Sequence, residues 1–319
     1  MTFWTLEEWE AFDRTFPAPT FFARPAFARA LSDTFSHLEP GPIVAQHRGA
    51  RYIVPAVRTR RKPRTVDAFP FGGYSCVLDS LGRTADAATA SAVLRSVASR
   101  TPAFSFVSWP LAEQPQPSGF ESTEYETAAI DCSGGLEPAL AGMRGVTRRM
   151  VGQAIRRGVT CERRPMDDAG LDTYYAMLHE ASIGWGLEAP TIPRSLFDAV
   201  ARRGGEDVEL WFALLDGEPI GGGVILFGRD ELFFWSAAMN REFSRFRPSN
   251  ALNARLIERA CERGVRWYNL GASEGLTGVE RFKTDLGAMS VPYRRVTART
   301  RVFDAYLALR NVLKTRHAS

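Results

Sequence analysis

The stretch from Val208 to Ala238 constrains the fold more than any other part of this 319-residue chain. An apolar run ends in Asp216-Gly217, a dipeptide typical of a tight β-hairpin turn, and a second apolar run follows as far as Phe227. A third run, from Asp230 to Ala238, is rich in Leu, Phe and Trp. Strands this apolar need cover on both faces, so the pattern predicts a mixed sheet with helices against it.

Helical patterns and shorter strands flank this sheet on both sides. The predicted helices are Leu136–Met143, Arg148–Arg157 with Thr147 as its N-cap, Leu171–Ser182 capped by Asp167 or Asp168, Ser195–Arg203, and Asn250–Arg263 after Pro248. Strands are predicted at Val159–Arg163 and Val265–Leu270. The first half repeats this alternation less clearly. The fold class is therefore predicted to be α/β with mixed sheets.

The length predicts more than one domain, because chains beyond roughly 250–300 residues usually divide into separate cores. We predict an N-terminal domain over 1–145, a C-terminal domain over 146–300 and a C-terminal helix over 301–319. That helix has one apolar face, which either closes the fold or joins a partner, and closing the fold is the simpler interpretation. The oligomeric state is left open.

Several function classes are disfavoured by composition. No run of about 18 apolar residues predicts a membrane span, and the stretch Met1 to Trp9 lacks the features of a secretory signal. The cysteines and histidines show no metal-ligand spacing, so neither a metal nor another cofactor is predicted. His179 is a candidate base, although a lone helical histidine is more often ordinary packing or surface. A cytoplasmic location is expected.

Basic residues cluster in a chain with net charge +4 and a pI of about 9.0. One interpretation is that these residues lie on faces exposed to solvent. The other is that they contact phosphates, because each neutralised phosphate releases counterions. The three clusters are Arg58, Arg60, Arg61, Lys62 and Arg64; Arg144, Arg148, Arg149, Arg156 and Arg157; and Arg241, Arg245 and Arg247.

Four segments of the second half, in this order and spacing, carry a resemblance to a known family. They are Thr147 to Val159, Asp216 to Gly223, Asn250 to Gly271, and Gly278 with Phe282-Lys283 and Leu286 to Ala288. Over these segments the chain resembles the FemAB-type aminoacyltransferases, also called BioF2-like or GNAT-like acyltransferases. In the first half, Phe69 to Tyr74 also resembles the family's loop. The resemblance implies two tandem GNAT-like domains with the acceptor groove between them.

The resemblance also implies an activity, the transfer of an amino acid from aminoacyl-tRNA to an amine. Such aminolysis needs positioning and an oxyanion donor rather than a nucleophilic Ser or Cys. Lys283, predicted in a loop after Phe282, is the first candidate, because an ammonium there can bind a donor phosphate or the oxyanion. It shares the chain with only Lys62 and Lys314, so a lysine among many arginines suggests a compact charge. The alternative is a surface lysine.

Further site candidates follow from the family's loop and from residue type. The family places an aromatic residue, here Tyr74, near the acceptor, with an aspartate five residues later, here Asp79. Asp79 either takes the amine proton, binds the amine as an ion pair or stabilises a turn. Arg247 and Asn250 flank a helix N-terminus that suits phosphate, or they are ordinary caps. The remaining candidates are Phe282 at the donor and Trp185, Trp235 and Tyr268 lining a groove, with core packing as the alternative.

The sequence leaves the chemical class of the donor and of the acceptor open. Acetyl-CoA-dependent relatives carry a glycine-containing turn, whereas this chain reads Arg245 to Asn250 with Pro248 and no glycine. That disfavours a CoA pyrophosphate cradle and favours charged tRNA. The cell-wall pattern Q-S-x-x-W is absent near Ala23 to Phe27, so a small peptide or natural-product amine is as good an acceptor. The alternatives are an acyltransferase that uses acyl-CoA or an acyl carrier protein, and a non-catalytic binding module.

Overall fold

A computed structural model describes residues 2–69, 72–273 and 275–316, with side chains in the last helix described only as far as Ala308. By its contacts the chain divides into two compact units, each described by itself below. Unit 1 comprises Met1–Ala18, Phe22–Tyr125 and Pro292–Ser319, and unit 2 comprises Pro19–Phe21 and Glu126–Val291. The units divide the chain at other residues than the predicted limits at 145 and 300, which stay predictions.

Ten α-helices and fourteen β-strands make up the described chain. The helices are α1 (Leu6–Thr15), α2 (Pro25–Thr34), α3 (Ala87–Ala98), α4 (Leu136–Ala141), α5 (Gly145–Arg156), α6 (Asp168–Gly184), α7 (Arg194–Gly204), α8 (Pro248–Glu262), α9 (Thr277–Asp285) and α10 (Arg301–Arg316). The strands are β1 (Thr2–Phe3), β2 (Leu38–Pro40), β3 (Ile43–His47), β4 (Ala50–Val54), β5 (Val57–Thr59), β6 (Val66–Ala68), β7 (Ala103–Val107), β8 (Glu121–Asp131), β9 (Thr160–Arg164), β10 (Val208–Leu215), β11 (Glu218–Phe227), β12 (Glu231–Met239), β13 (Trp267–Asn269) and β14 (Met289–Arg299). A 3₁₀ helix at Arg241–Phe246 precedes α8.

Unit 1 contains two sets of strands and the helix α3. Strand β3 pairs with β1 and β4 in a three-stranded antiparallel sheet. In the other set β5 lies between β2 and β6, and β7 pairs in parallel with β6 and antiparallel with β14. Val93, Leu94 and Val97 of α3 share one core with Val54 and Phe104 from the strands. The C-terminal part of β14 therefore belongs to unit 1.

Unit 2 is built on the apolar strands that the sequence predicts. Strand β10 pairs antiparallel with β9 and β11, and β11 pairs antiparallel with β12. Asp216 and Gly217 form the β10–β11 turn, each with positive φ as the hairpin requires. Next to β12 lies β13, parallel to it, and β13 pairs antiparallel with β8.

Helices cover both faces of the unit 2 sheet. On one face Leu252 and Leu256 of α8 share a core with Trp211 and Ile225, and this core also takes residues of α4 and α5. On the other face α6 and α7 bring Tyr174 and Phe197 together, with ring centroids 5.6 Å apart. This two-sided cover explains why β10 and β11 lack the apolar–polar alternation of a half-exposed strand.

The structure corrects three local predictions. Thr147 lies inside α5 and is buried, and Arg144 stands at the N-cap instead. The stretch predicted as one helix from Leu136 to Met143 ends at Ala141. Lys283 lies in α9 rather than in a loop. Pro70 and Phe71, which belong to the family-like loop, lie outside the described residues.

Candidate active site

Two parallel strands of unit 2 diverge after a short pairing. Strand β13 matches only the start of β12, from Glu231 opposite Trp267 to Phe233 opposite Asn269. Beyond that point the chain after β13 follows β8, because the Leu270 amide donates to the Ala128 carbonyl (2.8 Å) and the Ala128 amide donates to Gly271 (3.2 Å). The rest of β12 thus has a backbone edge that β13 does not cover, and an extended ligand can pair with such an edge.

A β-bulge lies in β12 just beyond the divergence. Val224 of β11 is opposite Ser236 and Ile225 is opposite Phe234, so Trp235 is the extra residue. Trp235 packs against Phe197 with ring centroids 5.0 Å apart, and the Ser236 hydroxyl accepts a bond from the buried Tyr174 hydroxyl at 2.7 Å. A bulge bends its strand and increases the local twist. The bulge thereby places Trp235 against α7 and Ser236 against α6.

Lys283 is anchored at the end of β13. Its side chain is buried, with 7% of the residue exposed, and Nζ donates to the carbonyls of Gly271 and Ala272, each at 2.8 Å. Lys283 belongs to α9, whereas both carbonyls follow β13, so the ammonium holds two elements together. Burying an ammonium costs free energy unless polar partners surround it. Its position therefore fixes a positive charge where the two strands separate.

A buried polar network extends from this point into the sheet. The Asn269 Oδ1 atom accepts bonds from the Thr127 hydroxyl (2.7 Å) and the Gly271 amide (2.9 Å). Its Nδ2 atom donates to Glu231 Oε1 at 2.7 Å. Asn269 and Glu231 are both fully buried. Since Gly271 offers its amide to Asn269 and its carbonyl to Lys283, the network positions the peptide that holds the ammonium.

The N-terminus of α8 is organised around Arg247 and Asn250. Arg247 is left-handed (φ 62°) and joins the 3₁₀ helix to α8, whose first residue is Pro248. Asn250 is buried, and the Asn250 and Ala251 amides both donate to the Arg247 carbonyl, at 3.1 and 3.2 Å. Upstream, the Arg247 amide donates to Ser244 at 3.1 Å. These amides serve the turn itself rather than pointing together at one anion.

The remaining unit 2 candidates differ in exposure. Trp185 ends α6 and is 54% exposed, whereas Tyr268 is fully buried and donates its hydroxyl to Asn253 Oδ1 in α8 at 2.7 Å. For Tyr268 the structure thus matches the core alternative that the sequence left open. Phe282 packs at the edge of the unit 2 core, one residue before Lys283. His179 is exposed on α6.

Tyr74 and Asp79 belong to unit 1. Tyr74 is buried and makes edge contacts with Phe22 and Tyr293, with ring centroids 5.8 and 5.2 Å apart. Asp79 forms a local turn: its Oδ1 accepts the Leu81 and Arg83 amides, and its Oδ2 accepts Arg83 Nε at 2.8 Å. Burial alone would raise the pKa of Asp79, but these bonds from Arg83 and Leu81 lower it. A carboxylate with a lowered pKa is a weak proton acceptor and a good ion-pair partner.

Cysteine chemistry is disfavoured in unit 2. Burial raises the pKa of Cys132 and of Cys161 to about 12, and it also raises the pKa of Cys261. Thiols with raised pKa values carry little thiolate and are poor nucleophiles. In the described ranges no group of His, Cys, Asp and Glu side chains is arranged to hold a metal ion. No helix in that part of the chain is long and apolar enough to cross a bilayer.

Three residues of the site escaped the sequence analysis: Glu231, Asn269 and Thr127. Asn269 lies inside the stretch Tyr268 to Gly271 that carries the family resemblance, but its residue type gave no sign of three buried bonds. Glu231 offers a weak signal, a carboxylate at the start of an apolar strand. Thr127 pairs with Asn269 from 142 positions away in the sequence, so no local pattern reveals it.

Similarity to known proteins agrees with this architecture. The acetyltransferase (GNAT) domain family matches residues 142–284, which include the diverging strands, α8 and Lys283. Over the whole chain the structure is similar to that of FemX, with a TM-score of 0.65 and 14% identity, covering 92% of this chain and 97% of that one. No curated protein sequence matches the chain.

Two further structures share the fold at low identity. One is a conserved protein of unknown function from Bacteroides thetaiotaomicron, with a TM-score of 0.61 and 11% identity, covering 94% of this chain and 100% of that one. The other is the C-terminal domain of a putative lysylphosphatidylglycerol synthetase from Agrobacterium fabrum, with a TM-score of 0.54 and 12% identity, covering 97% and 96%. Residues 142–284 therefore resemble the acetyltransferase (GNAT) domain family, and the chain has the mixed α/β, GNAT-like fold that its motifs predict and that the FemX structure shares.

Proposed function

We propose that the protein forms amide bonds by transferring an aminoacyl group from aminoacyl-tRNA to an amine of a small peptide or natural product. The observation that carries the proposal is the buried ammonium of Lys283, held by Gly271 and Ala272 where β12 and β13 diverge. Attack of an amine on an ester carbonyl places negative charge on the carbonyl oxygen. A fixed positive charge in a site with little water stabilises that oxygen, typically by about 3 kcal/mol.

The remaining chemistry is positioning. The uncovered edge of β12 offers backbone groups to an extended donor arm, and holding the amine beside the ester lowers the barrier by several kcal/mol. The balanced step forms one C–N bond, breaks the ester C–O bond and moves the amine proton to the ribose oxygen that leaves. No covalent enzyme intermediate is required, in line with the raised pKa values of the unit 2 thiols.

Two features favour tRNA over CoA as the donor. At the start of α8 the Asn250 and Ala251 amides are used within the turn and Pro248 has no amide, so these three positions offer no donor to a pyrophosphate. The second feature is a basic surface, which we define as Arg148, Arg149, Arg156, Arg157, Arg245 and Arg247. All six side chains are exposed, and Arg157 Nη1 donates to the Arg245 carbonyl, which joins the clusters of α5 and the 3₁₀ helix.

Arginines along α8 and arginines near its N-terminus differ in whether they have carboxylate partners. From the middle of the helix to its C-terminus, carboxylates that include Glu209 and Glu262 pair with Arg255, Arg259 and Arg263. In the described chain no carboxylate forms an ion pair with the arginines of the basic surface. Paired arginines stabilise the fold, whereas arginines without a carboxylate attract phosphates. The basic surface therefore supports a polyanionic donor.

Roles for the other candidates follow the same proposal. In this proposal the donor is flanked by Arg247, Asn250 and Phe282. The groove is lined by Trp185 and Trp235, and the buried Tyr268 contributes by holding Asn253 of α8 through its hydroxyl. Near the acceptor we assign Tyr74 to packing and Asp79 to ion pairing with the amine, since its lowered pKa disfavours proton transfer. A tRNA donor would place the reaction in the cytoplasm.

Transfer of label from charged tRNA tests the function directly. A pool of tRNA charged with labelled amino acids is incubated with the protein and a panel of amines, and acid-soluble amide products are followed. We expect enzyme-dependent amide formation that Lys283→Met lowers on the order of 100-fold or more. If the protein binds charged tRNA under these conditions but deacylates none of it, the proposed function is wrong.

The match to the acetyltransferase domain family favours a second candidate, an N-acyltransferase that uses acyl-CoA. Titration of acetyl-CoA against tryptophan fluorescence separates the two. Saturable quenching that CoA competes for, together with acetylation of an amine, would replace tRNA by CoA as donor. If neither transfer activity is found and Lys283→Met binds ligand as the wild type does, a non-catalytic binding module is favoured.

A further inference from the structure

Unit 1 contains a cavity of about 610 Å³ that the proposed transfer reaction does not use. Its walls come from β1, from the β5–β6 hairpin and from the segment between α3 and β7. A volume in this range suits a small organic ligand, for which sites of about 300–1,000 Å³ are usual. The lining residues are Phe3, Arg58, Lys62, Pro63, Arg64, Val66, Arg100, Thr101 and Pro102.

The charge of the lining has one sign. Arg58, Lys62, Arg64 and Arg100 contribute four cationic groups, and no carboxylate is among the lining residues. Arg58 bonds to Glu39 through Nε at 2.7 Å, outside the lining. In the described chain, Lys62, Arg64 and Arg100 form no ion pair with a carboxylate, and all three are exposed. Cations gathered in one concavity repel each other unless an anion joins them.

Apolar side chains line part of the cavity. Val66 is buried in the unit 1 core, and the Phe3 ring lies under the Arg58 guanidinium, 4.6 Å from centroid to Cζ. The hairpin that carries Lys62 and Arg64 is closed by Thr59, whose amide donates to Thr65 O (3.0 Å) and whose Oγ1 accepts the Thr65 amide (2.9 Å). The closed hairpin thereby carries Lys62 and Arg64 beside the apolar residues of the cavity.

We propose that this cavity is a binding site for a phosphorylated organic molecule. Its phosphoryl oxygens bond to Lys62, Arg64 and Arg100, since guanidinium groups match phosphate geometry with paired donors. Its apolar body lies against Phe3, Pro63, Val66 and Pro102. The site belongs to unit 1 and is independent of the transfer chemistry at Lys283.

Calorimetric titration of the full chain tests the proposal, with phenyl phosphate, inorganic pyrophosphate and phenol as probes. We expect phenyl phosphate and pyrophosphate to bind and phenol not to bind. The double variant Arg64→Ala/Arg100→Ala should weaken both anions at least about tenfold, because two charge-assisted contacts are lost. Phe3→Ala should weaken phenyl phosphate while leaving pyrophosphate unchanged.

Arg95→Ala is the matched control, since Arg95 is exposed on α3 but does not line the cavity. Thermal unfolding checks that each variant folds. A soluble phosphate and a lipid phosphate share this chemistry, so ADP and vesicles of phosphatidylglycerol or phosphatidylcholine form two further arms. Binding of ADP or of phosphatidylglycerol vesicles that depends on Arg64 and Arg100 supports the site, and it shows whether the ligand is a soluble or a lipid phosphate. Absence of anion binding, or binding that the double variant leaves intact, overturns the proposal.

Discussion

Lys283 in unit 2 and Asp79 in unit 1 are both charged residues that the family resemblance singles out, yet their surroundings are opposite. Lys283 is buried and bonds to carbonyls that lie 11 and 12 positions away. Among the described residues, Asp79 bonds only within its own turn, to residues at most four positions away. A local turn satisfies a carboxylate wherever it occurs, whereas a buried ammonium is stable only if the fold supplies partners. A charge that is held by other elements of the fold is therefore the stronger candidate for catalysis.

The largest expected effect comes from removing the buried charge. Lys283→Met keeps the length of the stem and should lower kcat on the order of 100-fold or more, because the oxyanion loses its positive partner. The measurement is single-turnover amide formation, with circular dichroism to check folding. Arg281→Met on the exposed face of α9 is the control, since Arg281 is 80% exposed. If Lys283→Met leaves the rate unchanged, Lys283 is no stronger a candidate for catalysis than Asp79.

The network beneath Lys283 gives the next largest effect. Asn269→Ala removes the partner of Thr127, Glu231 and Gly271, and leaving buried polar groups unsatisfied should cost about 3 kcal/mol of unfolding free energy. Asn269→Asp keeps the oxygen acceptor but faces Glu231 with a second carboxylate. We expect this variant to lose more stability between pH 5 and pH 8 than the wild type does, since the raised pKa of Asp67 already makes the wild type less stable as pH rises. Urea unfolding of both proteins at both pH values is the measurement, and an equal loss in the two would contradict the described network.

Asp67 is a half-buried carboxylate of unit 1 whose pKa shifts in the direction opposite to that of Asp79. Burial raises the pKa of Asp67 to about 6, although Arg295 and Ser105 oppose the shift. A folded pKa above the unfolded value of about 4 means that the folded state binds more protons between these pH values, so stability falls as pH rises from about 4 to 6. Asp67→Asn should flatten this fall and add on the order of 2 kcal/mol at pH 7. Thermal unfolding across this pH range tests it; a wild-type curve without the fall would contradict the raised pKa.

Asp79 itself should give the smallest effect. Asp79→Asn loses a charged acceptor for Arg83 and should cost about 1 kcal/mol of stability at neutral pH. Because its folded pKa is lowered, that contribution is present above about pH 4 and is lost as pH falls through the folded pKa. In the transfer assay we expect a higher KM for the amine and an unchanged kcat. If Asp79→Asn keeps normal stability but loses much of its kcat, Asp79 is a proton acceptor and matters to catalysis as much as Lys283.

Much of the fold could be predicted because its signals are local. The Asp216-Gly217 hairpin, the three apolar strands and the Asp167 cap of α6 each follow from a few neighbouring residues. Lys283 was predicted as a site residue but not as helical, since Gly278 and Gly287 on either side suggested a loop. Tyr268 illustrates the limit for aromatics: a strand position does not tell whether a ring lines a groove or packs inside.

Local sequence patterns alone predict the mixed α/β class and the three antiparallel strands of the second half, and they single out Lys283 as a candidate because lysine is rare among the arginines. Only the tertiary structure decided that β12 and β13 diverge beside Lys283, that Asn269 joins Thr127, Glu231 and Gly271, and which arginines have carboxylate partners. The reason is physical. Turns, caps and apolar periods depend on residues close in the chain, whereas burial, pKa and ion pairing depend on residues that only folding brings together.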